Sequence, residues 1–151
     1  METRFDIATS APDALKAMYQ LEGYIQKESG LPRNLIHLIK LRASIINGCA
    51  YCVDMHVKEA RHDKLSEQWI NLVSVWHEAH VYSEVERAVL RWTDSLTLLS
   101  QTKAPDEDFA ELRKFFSAAD CTRITVAIGA INIWNRLAVG GRKAHAVDKA
   151  A

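Results

Sequence analysis

Residues 35–61 read LIHLIKLRASIINGCAYCVDMHVKEAR. The first half is apolar around most of a helical circumference, which predicts a helix buried among others, with Lys40 and Arg42 toward an edge or a partner subunit. Gly48 interrupts that helix just before Cys49, and a second helix follows to about Arg61. On it Cys49, Cys52 and His56 share one face, because each helical residue turns about 100°. Two thiols at i and i+3 lie within disulfide reach in a first helical turn. Free N–H groups and the helix dipole stabilise a thiolate there, and His56 stands one turn on to take a proton from Cys52. Redox chemistry is one reading of the pair. Another is a zinc site in which Cys49, Cys52 and His56 are joined by His37, Asp54 or His62, although the chain has no second C-x-x-C. A third is packing alone, which is the reading for Cys121, a lone cysteine at the start of an apolar helix.

The rest of the chain sets the context. Its 151 residues, 48% of them hydrophobic, suit one domain with a sizeable core. Lys plus Arg and Asp plus Glu number 19 each, so the basic excess of a nucleic-acid binder is missing and no net charge opposes self-association. The N-terminus lacks an apolar run behind a basic start, and no uncharged stretch reaches membrane-spanning length. The expected location is therefore cytoplasmic. In that reducing compartment a C-x-x-C is more often catalytic or metal-binding than a structural disulfide.

Prolines stand only at 12, 32 and 105, and there are six glycines, so long segments lack breakers. Leu15, Met18, Leu21 and Ile25 recur at helical spacing, and Gly30 ends that segment. Ser66 can cap the segment from Glu67, Ser83 and Glu86 form a capping box, and Pro105 opens another helix. Asp120 can cap a last long helix that Gly140 and Gly141 stop. The pattern predicts an all-α domain of about six or seven helices over residues 1–151, with 142–151 a flexible tail.

The stretch quoted above, with SEVERAVLRWTDSLTLL and AINIWNRLAV downstream, resembles the alkylhydroperoxidase D-like (AhpD-like) proteins of the carboxymuconolactone decarboxylase superfamily. The resemblance implies an all-helical fold that associates as a trimer or hexamer. It implies a thiol peroxidase in which Cys52 attacks a small hydroperoxide, Cys49 resolves it as a disulfide, and His56 handles protons. It needs no cofactor and no metal. It implies a dithiol electron donor: a lipoyl protein, a thioredoxin-like protein or a peroxiredoxin. Lactone decarboxylases of the superfamily generally lack the cysteine pair, so that activity is the weaker match. One position departs from the motif, where a glutamate twelve residues before the first cysteine is replaced by His37. His37 is thus either a second imidazole in the proton relay or a hydrogen-bonded core histidine.

Overall fold

The computed structural model describes residues 2–148. Among them the chain forms nine α-helices, one 3₁₀ turn and no strand. The helices are α1 (Ile7–Ser10), α2 (Pro12–Lys27), α3 (Arg33–Ile46), α4 (Ala50–His62), α5 (Glu67–Asn71), α6 (Glu84–Thr97), α7 (Leu99–Thr102), α8 (Asp106–Arg113) and α9 (Ala118–Gly141), with the 3₁₀ turn Leu72–Val75 after α5. Nine helices replace the expected six or seven. Six have eight residues or more, while α1, α5 and α7 have four or five, too few to show a helical period in sequence.

α3 is the central element and packs against α4, α6 and α9. Leu35, Leu38, Ile39, Leu41 and Ala43 are fully buried, as expected for a helix apolar nearly all round. α9 supplies Ile124, Ala127, Ile128 and Ile131, and α6 supplies Val89 and Leu90. The capping box at the start of α6 is present, with Ser83 and Glu86 satisfying each other's backbone N–H.

Three local readings are corrected. Lys40 and Arg42 do not face an edge. Lys40 is buried against Glu22 of α2, and Arg42 clamps Asp94 of α6 through two bonds (2.5 and 2.9 Å) while donating to the Ser74 carbonyl (3.0 Å). The last helix is capped by Ser117, whose Oγ accepts the Asp120 N–H at 3.1 Å, so it starts before Asp120. It also runs through Gly140 and Gly141 and ends on Arg142 in the left-handed region. Gly141 is glycine for a different reason from helix termination. A Cβ there would lie 2.8 Å from the Phe5 carbonyl oxygen, and the Arg4 N–H donates to the Gly141 carbonyl (2.9 Å). The N-terminal segment is thereby laid across the end of α9. Of the tail 142–151, residues 142–148 are non-helical and 149–151 lie outside the described residues.

A polar network fixes the α3–α4 corner. The Asn47 side-chain amide donates to Asn132 Oδ1 (3.0 Å) and Asn135 Oδ1 (2.9 Å), and Asn135 Nδ2 donates to Ser44 Oγ (3.0 Å). Gly48 follows with φ +64°, a conformation that favours glycine, and turns the chain into Cys49. Asn135 is almost fully buried, so Asn135→Ala takes the amide donor from Ser44 Oγ and leaves Asn47 with Asn132 as its one remaining side-chain partner in this network. The expected cost is about 2 kcal/mol of unfolding free energy, read as a lower midpoint in urea denaturation with an unchanged slope.

Candidate active site

Cys49 is the N-cap of α4, extended at φ −86°, and the Cys52 backbone N–H donates to its Sγ at 3.3 Å. The two cysteines are joined by a disulfide with Cα atoms 5.3 Å apart, an ordinary separation for the bond. Both are almost fully buried, and Cys121 is free and buried elsewhere. Helix geometry then puts His56 one turn after Cys52, as the spacing predicts.

His56 is 2% exposed, and its Nδ1 lies 2.8 Å from Glu59 Oε2. An ionised carboxylate can only accept, so the neutral ring carries its proton on Nδ1 and offers Nε2 as a lone pair. That Nε2 is buried and has no hydrogen-bond partner. Burial pushes the His56 pKa below the ordinary imidazole value, the Lys40 ammonium pushes the same way, and Glu59 opposes both without reversing them. The hydrogen bond to His56 in turn holds the Glu59 carboxyl below its usual value. The site therefore presents a neutral base one helical turn from a sulfur.

A cavity of about 330 Å³ opens onto this pair. Cys52 and His56 line it, and Cys49 does not. Its walls are largely apolar: Tyr19 from α2, Met55 from α4, Trp134 and Leu137 from α9, and Phe5 from the N-terminal segment. Tyr19 and Trp134 stand ring to ring with centroids 5.9 Å apart. Tyr51, also in the lining, is half-buried under Lys143, whose Nζ is 4.5 Å from the ring centre.

His37 lies elsewhere. It lines a neighbouring open groove and not the cavity with Cys52. Its Nε2–H donates to Asp63 Oδ2 (2.7 Å), and Asp63 is also clamped by Arg33. That guanidinium, followed by the His37 hydrogen bond, holds the Asp63 carboxyl well below the usual carboxylate range. His37 Nδ1 is buried without a partner. Glu59 borders both the cavity and the groove, so a carboxylate stands where the His56 and His37 surroundings meet. The side chains of the zinc alternative are not gathered. Among the described residues, no group of three or more His, Cys, Asp or Glu side chains is placed to hold a metal ion.

Sequence reasoning missed two residues of the site. Glu59 sits three residues after His56, a helical neighbour visible in the spacing itself. Glu22 comes from α2 and meets Lys40 across 18 residues of chain, which no local pattern reports.

An all-helical fold with a C-x-x-C at a helix start and an adjoining buried histidine is the AhpD-like arrangement. The chain belongs to the carboxymuconolactone decarboxylase family, whose model matches residues 12–95. It is 36% identical over 146 residues to the uncharacterised protein YdfG of Bacillus subtilis (strain 168), covering 95% of this chain and 99% of that one. A crystal structure of ATU0492 from Agrobacterium tumefaciens, a protein of unknown function described as a candidate AhpD antioxidant-defence protein, superposes with a TM-score of 0.94. The two are 60% identical, and the match covers 97% of this chain and 100% of that one. The debrominase Bmp8 shares the fold at a TM-score of 0.78 and 23% identity, over 89% of this chain and 72% of its own. The fold thus carries more than one chemistry. No helix among the described residues is long and apolar enough to cross a membrane.

Proposed function

We propose that this protein is a thiol-dependent peroxidase run by Cys52 and Cys49. The observation that carries the reading is that Cys52 faces the cavity with His56, while Cys49 is covered and already bonded to it. His56 Nε2 takes the thiol proton. The Cys52 thiolate attacks the terminal oxygen of a hydroperoxide, the O–O bond breaks, and Cys52 becomes a sulfenic acid as an alcohol leaves. The Cys49 thiol then attacks the Cys52 sulfur and forms the disulfide, and its proton leaves with the sulfenic hydroxyl as water. A dithiol donor resets it by attack on Cys52, the sulfur that faces the cavity. Cys49 leaves as a thiolate at the N-cap, where the helix N–H groups stabilise it.

The apolar, aromatic-walled cavity suits an organic hydroperoxide over hydrogen peroxide. The donor is a lipoyl, thioredoxin-like or peroxiredoxin protein, which fits a cytoplasmic setting. The test is consumption of cumene hydroperoxide with a lipoamide-based reducing system, with peptide mapping of the oxidised protein. Turnover with a reversible Cys49–Cys52 bond supports the reading. No turnover with any of the three donor types, or a principal disulfide through Cys121, overturns it.

The chain acts as a homotrimer or homohexamer in this proposal. α9 leaves Ile133 and Val139 exposed in a single chain, and Tyr19 on α2 is also uncovered. Light scattering at micromolar concentration should give at least three times the chain mass, and a monomer would sink the idea.

A further inference from the structure

Lys40 is the residue of α3 that a stability argument does not explain. It sits mid-helix at 5% exposure among fully buried leucines and isoleucines. Taking an ammonium out of water costs free energy that a carboxylate partner recovers only in part, and an apolar side chain of similar volume would serve packing as well. The partner is Glu22, which gives Oε1 to Lys40 and to the Gln26 amide (2.9 Å) and leaves Oε2 buried and unpaired. The pair does not close in on itself inside the core. Both side chains line the cavity that Cys52 and His56 line.

Resting on the proposed peroxidase reading, we propose that Lys40, positioned by Glu22, is the cation of this site: it stabilises the Cys52 thiolate and the oxygen that leaves from the hydroperoxide. In the attack the S–O bond forms and the O–O bond breaks, and the electron pair departs on the alkoxide oxygen. That oxygen takes the proton His56 removed from the thiol and leaves as an alcohol, while Cys52 keeps the hydroxyl as sulfenic acid. Negative charge passes from sulfur to oxygen within a largely apolar cavity, where a fixed cation is worth more than in water. Burial lowers the His56 pKa most and Lys40 adds to it, so the base stays available. Glu22 holds the ammonium in place. Burial raises the Glu22 carboxyl, but Lys40 together with the Gln26 hydrogen bond and His56 brings it below its ordinary value.

The charged groups around Cys52 give opposite signs to two substitutions. Glu22 lines the Cys52 cavity from α2, Lys40 from α3, His56 and Glu59 from α4, Asp6 from the N-terminal segment and Lys143 from the tail, with Tyr19 and Tyr51 also in the lining. Glu22→Gln removes one negative charge and leaves Lys40 uncompensated, so the Cys52 thiol pKa should fall. Glu22→Gln with Lys40→Met removes the cation without stranding a buried charge, so the thiol pKa should rise. The readout is the pH dependence of iodoacetamide labelling at the Cys52 peptide of the reduced full-length chain, followed by mass spectrometry. The double variant should lose about tenfold or more of its thiolate fraction at neutral pH, and kcat/KM for cumene hydroperoxide should fall by at least the same factor. Circular dichroism checks that it folds, and labelling requires no turnover. A wild type without peroxidase activity would therefore remove the reaction while leaving the Lys40 assignment to the labelling curve. A folded double variant with the wild-type labelling profile overturns the assignment.

Discussion

In Cys52→Ser protein, hydroperoxide consumption should fall to the uncatalysed background, a loss of about 10³-fold or more, because the attacking atom is gone. The helix and cavity should survive, since serine is smaller and Cys49 keeps its place at the N-cap. Cys49→Ser should behave differently. Cys52 still lines the cavity with His56, so one equivalent of hydroperoxide should be consumed and Cys52 trapped as a sulfenic acid. Turnover should stop there, because no thiol one turn away can displace the oxygen. A serine at position 49 can still accept the Cys52 N–H, so a folding defect is not expected to mimic the loss. Dimedone labelling followed by peptide mapping decides between the sulfurs. Label on Cys49 in the first variant, with none on Cys52 in the second, would reverse the roles.

The parts of this site written into consecutive residues were legible. The break at Gly48, the N-cap position of Cys49 and the placing of His56 on the Cys52 face all follow from helical periodicity and a turn. So did the buried character of α3. What periodicity could not supply was partner choice across helices. Lys40 looks like an edge residue in a helical wheel, yet α2 brings Glu22 to it and Lys40 is buried. Arg42 looks the same and is consumed by Asp94. At the start of α9, Ser117 and Asp120 are both good caps, and the structure uses Ser117 as the cap with Asp120 bonded back to it at 2.6 Å. Gly140 and Gly141 read as a stop in sequence. The close approach of Phe5, invisible locally, is what Gly141 accommodates. The departure at position 37 was plain in the sequence, but whether a carboxylate entered from elsewhere was not. Glu59 and Glu22 both border the cavity.

That placement sets the second large effect. His56→Gln should lower kcat/KM for an organic hydroperoxide by about 10²- to 10³-fold, since it removes the buried acceptor for the thiol proton. His37→Leu should change it by no more than about threefold, because His37 faces Asp63 across a separate groove and its ring does not border the cavity. The pH profile sharpens the contrast. A general base works only when unprotonated, so activity falls as pH drops through the His56 pKa. Burial and Lys40 hold that pKa below the ordinary imidazole value, and the acid limb of the wild-type profile should therefore lie below about pH 6.5. Glu59→Gln removes the carboxylate that supports the imidazolium, so His56 becomes a weaker base and the limb should move further down, with a lower plateau. His37→Leu should leave the limb where it is. The measurement is kcat/KM against pH for the wild type and the three variants at constant ionic strength. If His37→Leu lost as much activity as His56→Gln and shifted the limb with it, the relay would run through Glu59 to His37, and the groove with Asp63 and Arg33 would have to be counted as part of the active site.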